Sequence, residues 1–511
     1  MERKTALSMA ASECREAGEK ACETPSVDER APPLVVDVDG TLLRTDLLYE
    51  SVILLLRRRP WCVFLLPFWL LAGKAALKRE IARRVQPDIA SLPMHEGLLA
   101  WLKGERARGR TLALISASDE TLVRRIAERC DGLFDVVAGS NGATNLASSA
   151  KLAAIERLFG DRFTYAGDGK HDVVIWERCR SAVLVGRTAK LRSLLSPSVE
   201  VASAFDVPRA GLKTWLRALR LHQWAKNTLL FVPLLLSGRI ISPHDVGLTL
   251  LAFVAFGLIA SGSYLFNDLL DLAADRQHRS KRNRPLASGE LPVLHGLMAI
   301  PAIAAVVGVL LLLLPSAFAA VAGTYLAITL AYSLWLKRKA ILDMLVLALL
   351  FTLRIIAGIA AVGTEMSPWL LAFSMFFFLS LACIKRYSEC RAMKDLGGQE
   401  GDEEGGKAIP GRGYRADDAP WLMSMGAASG FCSTLIFFIF LTDVQSPMRH
   451  YSTPEWLWLI CGILGYWLGR AWLLAGRGEM NDDPVLFAVK DRLSLFLGAL
   501  CAVSVLLANF L

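Results

Sequence analysis

The chain has 511 residues, 54% of them hydrophobic, and carries 57 Lys and Arg against 48 Asp and Glu for a formal net charge of +9. That length admits more than one domain. Its 10 cysteines form no CxxC pair or His/Cys cluster, which argues for reduced thiols and against a zinc site or disulfide framework, and its cations gather beside apolar runs, which argues against nucleic acid.

In chain order, residues 1–30 are polar, lack the apolar core of a secretory signal, and are expected as a disordered tail. Residues 31–205 have the alternating texture of an α/β, Rossmann-like domain, with "LVVDVDG" and "TLALISAS" as buried strands entering loops. The apolar stretch 52–73 is interrupted by Arg57, Arg58 and Arg59, so it is expected to lie against a membrane surface and not to cross it. Residues 206–225 read as a linker with an amphipathic lead-in, "RALRLHQWAKN". An all-α polytopic membrane domain is expected over 226–511, with nine spans at about 226–242, 247–267, 294–314, 316–336, 341–361, 367–384, 420–442, 455–475 and 493–510. The links at 268–293, 337–340, 385–419 and 476–492 hold most of the cations, so the positive-inside rule puts them on the cytoplasmic side of an inner membrane.

Within the α/β region, "DVDGT" places Asp37 and Asp39 at i and i+2 after an apolar run, where a parallel sheet presents its strand ends. Ser116 after "LALI", Lys151 in "SSAKLAAI", and Asp168 and Asp172 in "YAGDGKHDVV" follow in order. Any one of these fragments also suits an ordinary turn. Taken together the set resembles the haloacid dehalogenase (HAD) superfamily over about 34–195. That resemblance implies a phosphatase in which Asp37 is the nucleophile and Asp39 the acid/base, with Ser116 and Lys151 on the phosphoryl oxygens. It also implies one Mg²⁺ held by Asp37, Asp39 through its carbonyl, and Asp168, with Asp172 in support. Residues 46–95 become a helical cap, and a degenerate, purely structural copy of the fold is the alternative.

The second signal is "NDLLDLAADRQHRSKRNRP" at 267–285. At about 100° per helical residue, Asp268, Asp271 and Asp275 share a 60° sector. Three carboxylates on one face with cations behind them suit Mg²⁺ and a diphosphate. The same pattern suits a solvated helix end whose acids pair with Arg276 and Arg279. The extended pattern "ND..D...DR.H..K..RP.ASG" resembles the first motif of the UbiA family of intramembrane prenyltransferases. "RLHQWAKN", "YSLWLK", "LDMLVLALLFTLRIIAG", "KRYSE" and "DPVLFAVKDR" resemble in particular its phosphoribosyltransferase branch, over most of 215–500. That resemblance implies phosphoribosyl diphosphate as donor and a polyprenyl phosphate, such as decaprenyl phosphate, as acceptor. It assigns one or more Mg²⁺ to Asn267, Asp268, Asp271 and Asp275, phosphate to Lys281 and Arg284, and the entrance to Gln223 and Lys226.

Asp343 and Arg354 lie in or at the edge of an apolar span, where a charge costs about 2.5–3.5 kcal/mol, so both are expected to face the interior. Eleven residues is three turns plus about 20°, which puts them on one face but out of reach of each other. A substrate and an interhelical structural pair are equally suited as their partners. After the sixth expected span, "KRYSECRAMKD" replaces the second aspartate-rich motif of aromatic prenyltransferases, and Lys385 and Arg386 suit an anionic acceptor. Lys385 and Glu389 also suit an i,i+4 surface pair. Tyr387 stands where the branch often has a second arginine, and "GGQEGDEEGG" at 397–406 reads as an acidic loop. The expectation is a bifunctional membrane enzyme that phosphoribosylates a polyprenyl phosphate and removes the 5-phosphate. Its rivals are a conventional aromatic prenyltransferase and a non-catalytic lipid-binding scaffold.

Overall fold

The computed structural model describes residues 31–141, 144–207, 210–237, 239–278, 280–397, 409, 412–442, 452–480 and 484–510. The expected tail at 1–30 and the acidic loop beyond Gly397 lie outside the described residues. The chain divides into two compact units. One comprises residues up to Thr214 with Leu269–His295, and the other Trp215–Asp268 with the chain from Gly296 onward.

The first unit is built on six strands, β1 (Leu34–Val36), β2 (Leu112–Asp119), β3 (Val136–Ser140), β4 (Thr164–Gly167), β5 (Ser181–Gly186) and β6 (Glu200–Asp206). All neighbours pair in parallel, in the order β3-β2-β1-β4-β5-β6, with Val36 level with Leu114 and Ala166. The central strands are buried on both sides, which is why they read as unbroken apolar runs, whereas the edge strand β6 alternates exposed and half-buried residues. The chain reverses its direction of travel through the sheet between β1 and β4, so the carboxyl ends of those two strands flank the crevice where such sheets bind ligands.

Helices α1 (Leu47–Arg58), α2 (Lys74–Arg84), α3 (Glu96–Ala107), α4 (Glu120–Arg129) and α5 (Ser149–Phe159) belong to this unit. Asp46 caps α1 by accepting from the Leu48 and Tyr49 amides, Asp119 caps α4, and His95 Nδ1 accepts from the Leu98 amide at the start of α3. The stretch 52–73 does not form one helix: it is divided among α1, a 3-10 turn at Pro60–Phe64 and a short helix at Leu66–Leu71, because Pro60 and Pro67 interrupt it.

The membrane region contains α6 (Pro243–Leu270), α7 (Val293–Leu312), α8 (Ser316–Leu334), α9 (Leu342–Val362), α10 (Pro368–Gly397), α11 (Ala419–Thr442), α12 (Trp458–Arg477) and α13 (Arg492–Phe510). Among the described residues seven helices are long and apolar enough to cross a membrane, or eight if Pro484–Lys490 and α13, bent by 80°, make one span. Nine were expected, and the difference lies at 226–242. There the chain runs as 3-10 turns from Leu221 to Phe231 and a five-residue helix, Val232–Leu236, with Pro233 at its start. Seventeen helical residues would reach only about 26 Å, short of a ~30 Å hydrocarbon core.

Helix α9 is the axis of this unit, with 67% of its apolar window buried against 17% for α7 and α8. It packs Val346, Leu350 and Ala357 against Leu230, Phe256 and Phe318, and Met344, Ala348 and Ile355 against α10, α11 and α12. Close approach is built in at Gly358, where an added Cβ would stand 2.2 Å from the Leu230 carbonyl oxygen. Gly358→Val should therefore lower stability by about 1–3 kcal/mol or prevent assembly. Gly323→Ala on α8, which meets open space, should be neutral or slightly stabilising. Thermal unfolding of both variants in detergent checks the contrast.

Candidate functional site

Asp37 and Asp39 leave the end of β1, and their side chains take separate partners. Asp37 Oδ1 accepts from the Val38 amide (2.8 Å) and Oδ2 meets Lys151 Nζ at 2.7 Å, with the lysine buried on α5. Asp39 Oδ1 accepts from the Leu47 amide (2.8 Å), while Oδ2 receives Ser118 Oγ at 2.5 Å and Ser116 Oγ at 3.4 Å. Lys151 Nζ also donates to Tyr165 OH (3.0 Å), which in turn donates to Asp172 Oδ1 (2.8 Å). Asp172 Oδ2 accepts from the amides of Asp168 and Gly169, both at 3.1 Å.

Asp37, Asp168 and Asp172 offer carboxylate oxygens all within 4.8 Å of one another, and among the described residues no other His, Cys, Asp or Glu group does this. The Asp39 side chain, whose backbone carbonyl and not carboxylate is the expected metal ligand, is engaged with Leu47 and Ser118. Burial, followed by the charges of Asp172, Asp37 and Asp39, pushes the Asp168 carboxyl well above the usual range. Burial, then the neighbouring Asp46, raises Asp39 to about 7. Lys151 is held above its ordinary value: burial works against its charge, and Asp37 and Asp172 outweigh burial. Lys151 and Lys78 stand against Asp37, Asp39, Asp46, Asp168 and Asp172 among the described residues. This excess of hard oxygen donors over cations fits Mg²⁺. Gly40, at φ +71°, keeps the approach open, because a Cβ there would stand 2.1 Å from Asp168 Oδ2.

The aspartates of the 267–285 motif have arginine partners. In the second unit, Asp268 at the end of α6 is buried and pairs with Arg220, and Asn267 is half-buried. In the first unit Asp271 meets Arg57 at 3.6 Å, and Asp275 meets Arg284 at 2.5 Å. Arg276 does not join these acids. Its guanidinium forms a buried pair with Glu50 on α1 and donates to the Ala287 carbonyl. Lys281 is exposed, and Arg279 lies outside the described residues. Local pairing through Arg276 is therefore not what the structure shows.

Within the second unit, Asp343 and Arg354 are both buried on α9, and neither partners the other. Asp343 accepts from Arg386 Nε (2.7 Å) and Tyr414 OH (2.7 Å), and Arg386, fully buried on α10, also binds Glu389 and Tyr332. Arg386, read from sequence as facing an acceptor, is thus committed to an interhelical pair in this structure, and Glu389 joins it. Tyr387 packs edge-on to Trp472. Arg354 donates to Asn227 Oδ1, Tyr325 OH and the Leu350 carbonyl, and Asn227 Nδ2 is left buried with no partner. Lys226 lies over the Phe351 ring and, with Phe377, Trp467, Ser494 and Cys501, lines a mainly apolar cavity of 260 Å³. Gln223 is half-buried at the start of the same 3-10 segment.

Sequence reasoning missed Ser118, Asp46 and Lys78 beside the first site, and Arg220, Arg57 and Glu50 as partners of the motif segment. Ser118 lies two residues beyond Ser116 on one strand and so on the same face, which was an available signal. The arginine run at 57–59 was read only as a mark of the membrane surface.

The UbiA prenyltransferase family profile matches residues 228–508. The y4nM protein of Sinorhizobium fredii is 40% identical over 94% of this chain and 92% of its own length. Nodulation protein NoeC of Azorhizobium caulinodans is 34% identical over 55% of this chain and 89% of its own. Decaprenyl-phosphate phosphoribosyltransferase of Corynebacterium glutamicum is 39% identical, over 34% of this chain and about half, 54%, of that enzyme. A UbiA homologue from Archaeoglobus fulgidus, solved with GPP and Mg²⁺ bound, aligns at 16% identity and a TM-score of 0.44 over 58% of this chain and all of that one.

A buried ion pair that has lost one partner leaves an uncompensated charge, at a cost of about 3–5 kcal/mol. Arg386→Met should destabilise the detergent-solubilised protein by that order, and adding Asp343→Asn should recover part of the loss. Thermal unfolding midpoints check this. Arg386→Met at full stability would contradict the interhelical role.

Proposed function

Because the chain belongs to the UbiA prenyltransferase family of polytopic membrane enzymes, we propose that its membrane region transfers 5-phosphoribose from phosphoribosyl diphosphate to a polyprenyl phosphate. The parallel-sheet domain then removes the 5-phosphate as a HAD-type phosphatase. The partial similarity to a decaprenyl-phosphate phosphoribosyltransferase supports the first step. The observation that carries the combined reading is the Lys151–Asp37 pair, with the Asp168 and Asp172 carboxylates converging on Asp37. Such a site suits a phosphate monoester. Phosphoribosyl transfer leaves one on the lipid, whereas prenyl transfer to an aromatic ring leaves none.

In the transfer, an oxygen of the lipid phosphate attacks the ribosyl C1 as the bond from C1 to pyrophosphate breaks, its electron pair leaves with pyrophosphate, and C1 inverts. Asn267, Asp268, Asp271 and Asp275 would hold Mg²⁺, which would neutralise charge on the departing diphosphate. Lys281 and Arg284 grip phosphate oxygens, and Gln223 and Lys226 line the entrance. Arg220, which pairs with Asp268, and Arg57, which pairs with Asp271, would each be available to a phosphate oxygen if Mg²⁺ were held by those acids.

In the hydrolysis, the Asp37 carboxylate attacks phosphorus and the ribose oxygen leaves with the Asp39 proton. Water then gives a proton to Asp39 and attacks the aspartyl phosphate, releasing inorganic phosphate and restoring Asp37. Lys151, with Ser116 and Ser118 nearby, supports the phosphoryl oxygens, and Asp37, Asp168 and Asp172 are the residues that would hold Mg²⁺ there. Both steps take place on the cytoplasmic side of an inner membrane in this reading, which the cation-rich links support, and tethering raises the effective concentration of the intermediate to about millimolar.

Membranes holding the full chain, fed labelled phosphoribosyl diphosphate and polyprenyl phosphate, test both steps. Asp268→Asn should cut ribosylated lipid ~10²-fold or more. Asp37→Asn should leave transfer intact and accumulate lipid-linked 5-phosphoribose. Dephosphorylated product from purified Asp37→Asn protein would refute the phosphatase step. A prenylated aromatic compound in place of ribosylated lipid would refute the transfer.

A further inference from the structure

The segment Pro60–Leu71, between α1 and α2, has one face fixed and one face bare. Cys62 is buried, and Leu66 and Trp69 pack with it against Leu55, Leu77 and Ile81, while Arg84 lies 4.5 Å over the Trp69 ring. The opposite face shows Trp61, Phe64, Leu65, Phe68, Leu70 and Leu71, with Phe64 75% and Leu71 85% exposed. A continuous apolar patch of this kind marks a contact surface.

Charge indicates what covers it. Arg57, Arg58 and Arg59 precede the segment, Lys74 follows it, all four are exposed, and no acid occurs between Glu50 and Glu80. An apolar strip with cations at both ends complements an anionic lipid surface, and tryptophan favours the headgroup level. Twelve residues reach about 18 Å as a helix, too short to cross a bilayer. Within the same unit, Arg57 Nη1 donates at 2.9 Å to the carbonyl of Leu270.

We propose that Pro60–Leu71 is an interfacial anchor that inserts its bare face into one leaflet of an anionic bilayer, and that the adjoining phosphatase site thereby receives phosphate monoesters borne on membrane-embedded chains. The second clause rests on the phosphatase reading above; the first does not. The link to the site is short. After Gly73 the chain enters α2, whose Lys78 donates to the Ala117 carbonyl (2.7 Å) and faces the charges of Asp39, Asp46 and Asp37. The helix following the anchor therefore forms one wall of the site, and a bilayer holding the anchor lies beside the site's mouth.

The test uses the full chain in nanodiscs of phosphatidylcholine and phosphatidylglycerol, with a photo-crosslinking residue at position 64, 68 or 71, and at Leu158 on α5 as an exposed control. Labelled phospholipid should attach at the first three at least tenfold above the control. Attachment no greater than the control, or cross-linking into the chain's own transmembrane helices, would overturn the anchor. A second variant, Phe64→Ser with Phe68→Ser, should keep turnover of soluble p-nitrophenyl phosphate and lose at least tenfold on lipid-linked phosphoribose. Equal loss on both substrates would overturn the delivery role. A wild-type chain that hydrolyses neither substrate would refute the phosphatase reading, and with it the second clause, while the lipid cross-link still decides the first.

Discussion

Every carboxylate this chain buries has to be compensated, and the kind of compensation separates its structural acids from its candidate chemistry. In the apolar membrane region the buried carboxylates are met by arginine: Asp343 has Arg386, with Arg412 3.8 Å away, and Asp268 has Arg220. An ion taken out of water without such a partner carries a penalty of several kcal/mol, so these pairs come with the burial. At the ends of β1 and β4 the balance differs. Asp37, Asp168 and Asp172 converge beside Lys151, and the Asp168 carboxyl is pushed well above its ordinary range by burial and by its neighbours' charges. A surplus of hard, oriented oxygens is the condition that a divalent cation relieves.

The motif at 267–285 lies between these cases. Its acids are matched by arginines, two of which come from outside the motif: Arg57 on α1 and Arg220 just before the 3-10 segment Leu221–Phe231. An arginine paired with a carboxylate is also a ready diphosphate ligand, because the same fork serves either anion. The buried Glu50–Arg276 pair has a different use. Arg276 ties Glu50 to the Ala287 carbonyl, so α1, which begins where Leu47 holds Asp39, also secures the return loop of the motif segment. One helix thereby touches the machinery of both proposed steps.

What was legible in the sequence follows from how local each signal is. The DxDGT loop, the strand before Ser116 and the GDxxxD turn are set by short apolar runs and by glycine, and the structure brings their side chains together around Asp37 and Asp39. The eight later helices were legible because bilayer length imposes its own count of apolar residues. The first expected span was not, because Pro233 and the close packing at Gly358 act through tertiary contact and through a break that an average over 226–242 conceals. Partners were the least legible element: Glu50 and Arg276 are 226 positions apart, and Arg386 and Asp343 are 43 apart. Residue type alone gave Arg386 the same standing as a phosphate-binding cation, and only its full burial on α10 separates the two roles.

The central claim is that one chain performs transfer and dephosphorylation in sequence. The most direct measurement is the ratio of inorganic phosphate to pyrophosphate released by the purified, reconstituted chain acting on phosphoribosyl diphosphate and polyprenyl phosphate, with no other phosphatase present. The account predicts that pyrophosphate appears first and that inorganic phosphate then rises to equal it, one for one, only when the lipid acceptor is supplied. Pyrophosphate without inorganic phosphate, or inorganic phosphate released equally well without the lipid, would contradict it.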